Sequence, residues 1–412
     1  MKNIYLLFIC FISQFCIAQQ SVRDMRCVRV RSCIDTTNTQ FKEIFDFWEN
    51  YQDDLFRNQF YKDSVCMQKY WAESEFLKYE NPDIVLRKTK IYFMLPELFL
   101  GIEIRNDTLF EIKSLYSSVY MKPNSDMYLL FSTYVIKKNG NYFLYNKFSE
   151  NKKKLKEYSK EWLHIYYTDD YKFNNNEAIN LFERANKLLK DFDFYQPEPV
   201  HYYLAPTYTE LLDIAGIDFL FNVYIPSSNI KTGGWSKPDS RLIFYSQGGE
   251  ANLHEFIHIF IHDFRKNIDF KDYDLDEGFC CYFGDHLGFP YKTHAKRLKI
   301  FLNNNPEINL SENLQVAFLV NNKKYYSDTI NIKFNYNDTI FLSNFYDDST
   351  NYSYIIMAAI CEIAMQKGGI ELLKQMLLEI TNDNNYEIIE KYLGIKRKDL
   401  NSYIRNFLNE NY

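Results

Sequence analysis

The stretch Asn252–Phe264, NLHEFIHIFIHDF, limits what this chain can become more than any other. Wound as a helix, it carries Leu253, Phe256, Ile257, Ile259, Phe260, Ile261 and Phe264 on nearly every side. A helix that is apolar all round has to run through a core. Yet the same stretch holds three of the chain's 7 histidines, together with Glu255. Polar groups taken out of water need partners, so the fold must bring partners to this helix.

His254-Glu255-Phe256-Ile257-His258 is an HExxH pattern. Positions i and i+4 share one helix face, so two imidazoles can reach a single cation. Glu255 stands beside them and can hold a water and take its proton. Two imidazoles and a carboxylate suit zinc, with a fourth position left for water. The expected third ligand is Glu277, in LDEGFCCYFGD (Leu275–Asp285), with Asp276 as its nearest rival. The segment between His258 and Glu277 is long enough for a turn and a second helix to come back alongside. The stretch SQGGEAN, Ser246–Asn252, reads as a strand-to-helix junction. His262 continues the i, i+4 ladder, but it lies about 12 Å along the axis from His254. That is too far to share the ion, and it reads as structural. Cys280 and Cys281 read as packing residues, and His164, His201, His286 and His294 as ordinary ones.

These residues resemble the gluzincin metallopeptidases. In that group HExxH is followed, on a neighbouring helix, by a glutamate in a Glu-Gly-hydrophobic-small-x-aromatic-aromatic context. EGFCCYF, from Glu277 to Phe283, fits it, with Cys280 at the small position. The metzincin pattern does not fit, since it needs Gly and His where this chain has Ile261 and Phe264. Over residues 160–412 the chain is similar to the exported peptidase MA-like gluzincins. Gly233-Gly234-Trp235 precedes a strand Arg241–Tyr245, and a late helix ends near Gly368-Gly369.

The resemblance implies a zincin-like metallopeptidase domain, with a mixed sheet subdomain and a mainly helical C-terminal subdomain. It implies one Zn2+ ion on His254, His258 and Glu277, and peptide-bond hydrolysis by a metal-activated water with Glu255 as general base. It further implies that Tyr352 or Tyr354, at the start of the late helix, stabilises the tetrahedral oxyanion. The partner would be a peptide or protein substrate, paired along the strand Arg241–Tyr245. The competing reading is a catalytically silent binding or scaffold protein on the same fold, because a blocked cleft would leave the motif intact.

The rest of the sequence frames this site. MKNIYLLFICFISQFCIAQQ reads as a signal peptide over residues 1–18, with Lys2, an apolar run Ile4–Ile12, and small residues at Cys16 and Ala18. The mature protein is therefore expected outside the cytoplasm, secreted or periplasmic. Six cysteines remain after that cut, which permits a disulfide, with Cys27 and Cys33 the nearest pair by spacing. The charged segment Ser149–Glu161 divides the chain. Before it, residues 19–155 read as a smaller α+β domain, loosely similar to NTF2-like domains: a helix at Phe41–Phe60, then strands, with a hairpin turn at Asn139-Gly140.

After it come a strand Trp162–Thr168, a helix Asn174–Phe192 and a strand Pro199–Thr207. Further helices are expected at 275–288, 291–303, 350–367 and 369–380. Residues 304–349 are rich in Asn, Asp and Tyr and read as an insertion with a hairpin at Ile330–Leu342. A chain that is 46% hydrophobic and 25% charged can bury a core. Its net charge of -6 gives no reason to expect nucleic acid as a partner. Beyond the leader, no stretch is long and apolar enough to span a membrane. Oligomeric state is not legible in the sequence.

Overall fold

The computed structural model describes residues 29–30, 37–61, 68–72, 97–117, 127–194, 198–220, 233–246, 249–265, 274–286, 289–312, 314, 319–320, 323–324, 352–381 and 383–412. The leader at 1–18, the cysteines Cys27, Cys33 and Cys66, and the expected hairpin at Ile330–Leu342 lie outside the described residues. The fold is α+β. The chain divides into two compact units, one of Met1–Lys156 with Thr207–Ile230, the other of Glu157–Pro206 with Lys231–Tyr412.

In chain order the elements begin with β1 (Arg29–Val30), α1 (Thr39–Tyr61), β2 (Glu97–Asn106), β3 (Leu109–Ser117), β4 (Met127–Lys138), β5 (Asn141–Tyr145) and α2 (Lys147–Lys152). Next are β6 (Lys156–Lys160), β7 (Leu163–Tyr167), α3 (Asn175–Asp191), β8 (Val200–Ala205), α4 (Tyr208–Ile214) and β9 (Phe219–Leu220). Then come β10 (Gly233–Lys237), β11 (Leu242–Ser246), α5 (His254–Phe264), α6 (Asp274–Phe283) and α7 (Tyr291–Asn304). The short pair β12 (Leu319–Val320) and β13 (Lys323–Lys324) precedes α8 (Tyr352–Glu379), α9 (Asn385–Leu393) and α10 (Leu400–Asn411). Among the described residues no helix is long and apolar enough to cross a membrane.

In the first unit, β2 to β5 form an antiparallel meander, with β1 parallel to β2 and β9 antiparallel to β4. Asn139 and Gly140 turn β4 into β5 with φ of 51° and 80°. Two positive φ values in a row give the turn whose twist matches the flanking strands, as the Asn-Gly pair predicts. The helix α1 buries Ile44, Trp48 and Tyr51, four and three residues apart, which is one face of a helix. The return of Thr207–Ile230 to this unit has a physical basis. β9 pairs with β4, and Asp218 beside it meets Lys147 Nζ at 2.8 Å.

The second unit is built on a sheet of order β10-β11-β8-β7-β6. Its strands β7, β8 and β11 are parallel, and β10 runs antiparallel to β11. Cross-strand register puts Tyr166, Tyr203, Phe244 and Trp235 in one row, and their rings stack in turn at centroid separations of 5.0, 5.0 and 4.8 Å. The alternate residues Tyr202, Leu204, Ile243 and Tyr245 join a single apolar core with α3, α5, α6 and α8. The helix α5, His254–Phe264, sits in that core, as its all-round apolar surface demands.

Three expectations change here. The strand expected at Arg241–Tyr245 runs from Leu242 to Ser246, because Arg241 takes a left-handed backbone (φ 54°). It has no open edge: β8 flanks it on one side and β10 on the other, so an extended peptide cannot pair with it. The helix expected over 275–288 stops at Phe283. Gly284 closes it, and a bridge between His286 and Phe289 follows. The stretch from 304 onward begins inside the core rather than outside it. Ile308, Leu310 and Leu314 are buried, Arg405 donates to the carbonyl of Ile308 at 2.7 Å, and Tyr386 donates to that of Leu310 at 3.0 Å. Gly369, with φ 65° and ψ -154°, breaks α8 where the Gly-Gly pair foretold a break.

Candidate metal centre

The entry into α5 is shaped by side chains that compensate for a missing cap. Asn252 Oδ1 accepts the His254 backbone N–H at 2.9 Å, and Tyr202 donates its hydroxyl to the Gly249 carbonyl at 2.6 Å. Phe256 and Phe260 then lock the helix in rotation, each meeting the Trp162 ring edge-on, at 6.2 and 5.9 Å. That rotation turns His254 and His258 to one side.

The helix α6 comes back alongside α5, and two devices fix where it lies. Gly278 faces α8 so closely that a Cβ there would lie 2.5 Å from the Met357 carbonyl carbon and its Cβ. A glycine after Glu277 is thus a packing necessity. Gly284 approaches α5 as closely: a Cβ would lie 2.6 Å from His254 N. The second device is a buried ion pair. Arg265, at the end of α5, donates from Nη1 to Asp276 Oδ2 at 2.7 Å and from Nη2 to the Leu377 carbonyl. Asp276, the rival third ligand, is therefore engaged in tying α5 to α6 and α8.

The adjacent residue, Glu277, faces the histidines. Its Oε2 lies 3.4 Å from His254 Nε2 and 3.6 Å from His258 Nε2. Zinc binds nitrogen and oxygen at about 2.0–2.1 Å, so two ligands of a tetrahedral ion stand about 3.3–3.4 Å apart. The observed separations fit that geometry. The side chains of His254, His258 and Glu277 keep 8%, 18% and 25% exposure, so the cluster opens to solvent on one side. That suits a site with a free coordination position better than a closed structural one. Although burial alone would raise the Glu277 carboxyl, His258 and His254 hold it well below the usual range. Burial opposes a charge on His258, but Cys280 and Glu277 hold it well above the usual imidazole value. The cluster calls for a positive charge, which a proton supplies in part and a divalent cation would supply fully.

Glu255 is buried, on the first turn of α5 beside His254. Its charge is felt by Tyr245 and Tyr202, where it adds to burial in raising the phenols. Tyr354 brings its ring to 6.0 Å from His286, which itself lies 5.5 Å from the His254 ring. Tyr352 stacks instead on Phe301, at 3.9 Å. His262 sits beside Asp263, with Nδ1 3.8 Å from Oδ1. The His164 and His201 rings are neighbours, tilted by 34° with centroids 5.4 Å apart.

Three residues at this centre were read as packing or ordinary from sequence. A ring nitrogen from each of His254 and His258 lies within 4.8 Å of Cys280 Sγ. A nitrogen of His254 also lies within 4.8 Å of Cys281 Sγ and of a His286 nitrogen, and these two lie as close to each other. The spacing carried a signal, since positions i+3 and i+4 from Glu277 share its helix face. Burial pushes the Cys280 thiol up to about 12.

No protein-family model matches the chain, and no curated protein matches it.

Proposed function

We propose that the second unit is a zincin-like, gluzincin-type metallopeptidase that hydrolyses peptide bonds outside the cytoplasm. The observation that carries this reading is that Glu277 Oε2 stands 3.4 and 3.6 Å from Nε2 of His254 and His258, beside a buried Glu255. His254, His258 and Glu277 would hold one zinc ion, and Asp276 with Arg265 would fix the helix that presents Glu277. Bound there, zinc supplies Lewis acidity, which polarises a carbonyl and makes water a stronger acid.

The chain's own groups do the remaining work. Glu255 takes the proton of the attacking water and passes it to the departing amine. Tyr354 is the better placed of the two tyrosines to donate a hydrogen bond to the oxyanion, since its ring faces the His286–His254 side. An extended peptide would pair with β10, the outer strand beside β11, rather than with β11 itself.

The test is metal analysis together with cleavage of a mixed peptide library. One zinc per chain is expected, with cleavage that falls by about 10²–10⁴-fold in Glu255→Gln while zinc is retained. Zinc that is bound without any cleavage would move the protein to the silent binding reading. A wild-type chain without zinc would remove the metal centre itself.

A further inference from the structure

The residues around His254 do more than complete one tetrahedron. An imidazole has two nitrogens, and in His254 they meet different surroundings. Nε2 faces Glu277 at 3.4 Å. Nδ1 is buried, and among the described residues it makes no hydrogen bond. That is unusual for a ligand histidine, whose second nitrogen ordinarily donates to a carboxylate or a carbonyl. Cys281 and His286 stand close to the same ring. One ring nitrogen of His254, Cys281 Sγ and one ring nitrogen of His286 all lie within 4.8 Å of one another.

We propose that His254, Cys281 and His286 form a second cation position, specific for a thiophilic ion such as zinc, cadmium or copper(I), which shares His254 with the first. It rests on the proposed metal centre only through that shared imidazole. Thiolate and imidazole ligands select soft and borderline cations, whereas calcium and magnesium seek oxygen. The geometry is prepared. Cys281 is fixed on α6, fully buried. His286 is held by its backbone, which exchanges hydrogen bonds with Phe289 at 2.9 and 3.0 Å, and its carbonyl meets His294 Nε2 at 2.9 Å. His286 is also partly exposed, which gives an ion a way in from solvent.

Binding balances as follows. The Cys281 thiol gives up its proton and forms the S–metal bond. His254 would hold the first ion through Nε2 and this one through Nδ1, giving up the Nδ1 proton. His286 binds as the neutral imidazole, so two protons leave for each second ion taken up. Because a bridging imidazole serves two cations at once, this position fills after the first, and an excess of zinc should slow the enzyme.

The full chain, stripped of metal and titrated with cadmium, tests this. Two bound equivalents are expected, and a thiolate-to-cadmium charge-transfer band should grow with the second. Cys281→Ser and the partly exposed His286→Ala should each lose the second equivalent and the band while keeping the first. Cys280→Ser should keep the band, which separates the two neighbouring thiols. Glu277→Gln should lose the first equivalent and retain the band, so failure of the proposed catalytic centre reads differently from failure here. A single equivalent in the wild type, or a band that persists in Cys281→Ser, overturns the second position.

Discussion

In the first unit Glu111 is 2% exposed and lies between two fixed cations. Arg105 Nε donates to its Oε2 at 2.8 Å, and Lys147 Nζ stands 3.7 Å from Oε1. Lys147 also meets Asp218 at 2.8 Å. In the second unit Glu277 lies between two imidazoles, at 3.4 and 3.6 Å, groups that carry a full charge only when protonated. The first arrangement brings its own positive charge and is complete as folded. The second brings one carboxylate oxygen within 3.6 Å of two imidazole nitrogens. A buried ion pair of the first kind is a structural feature. The second kind is the donor set on which the proposed metal centre rests. Asp276 and Glu277 show the same contrast on adjacent residues, because Asp276 already has Arg265 at 2.7 Å.

The largest effect expected from breaking this contrast is at Arg265. Arg265→Met leaves Asp276 buried without its cation, which costs about 3–5 kcal/mol. Chemical denaturation should show the second unit unfolding at lower denaturant. The double variant Arg265→Met/Asp276→Leu should recover most of the loss, since a matched apolar pair replaces a matched ionic one. If the single variant is as stable as the wild type, the pair is not what fixes α6.

Glu277→Gln sharpens the contrast from the other side. It keeps the shape and removes the charge, so zinc affinity should fall by more than about 100-fold. Without added zinc the variant should also lose stability at neutral pH, because in the folded chain His258 and Glu277 each favour the other's charge. Zinc titration and denaturation on the same samples read both quantities. Retained zinc with lost stability would assign Glu277 to the class of Glu111.

How far all this was legible follows from where the information lies. HExxH is local: two histidines four apart share a helix face whatever the fold. The apolar surface of α5 is local as well, and it predicted burial correctly. The position of Glu277 beside the histidines is legible because Glu-Gly reports a tertiary contact, the close approach of Gly278 to Met357. The Asn139-Gly140 turn and the break at Gly369 were legible because positive φ is a property of single residues. Contacts between distant segments left no such mark. Nothing in the text of Arg265 says that its partners are Asp276 and the Leu377 carbonyl. The covering of β11 by β10 depends on sheet order, and the pairing of β9 with β4 joins residues far apart in sequence. Cys281 and His286 were passed over because each alone is unremarkable, and only the fold sets them beside His254.

The glycine next to Glu277 offers a smaller test. Gly278→Ala forces a methyl to within 2.5 Å of α8 backbone and side-chain atoms. Overpacking of this kind costs about 1–3 kcal/mol. It should also tilt the Glu277 carboxylate away from the two histidines, so zinc binding should weaken along with stability. In Glu277→Gln, by contrast, the packing against α8 is kept. Measuring both in one preparation tells whether Gly278 acts by packing, as the close approach implies, or is an incidental neighbour of a ligand.

The smallest effect returns to the first unit and is read by pH. Burial alone would raise the Glu111 carboxyl, but Arg105, Ser132 and Lys147 together hold it below its ordinary value. A carboxyl depressed on folding contributes stability that is complete above its unfolded value, near about 4.3. That contribution is lost as the pH falls through the lower folded value. The first unit should therefore hold its stability down to about pH 4.3 and weaken below it. Glu111→Gln should flatten part of that acid limb and cost about 1 kcal/mol at neutral pH, because Arg105 is 41% exposed and water replaces much of the pairing. Amide exchange along β3, followed with pH, isolates this unit from the other. If the acid limb is unchanged in Glu111→Gln, the cluster is not what sets the unit's acid stability, and the contrast with Glu277 would rest on geometry alone.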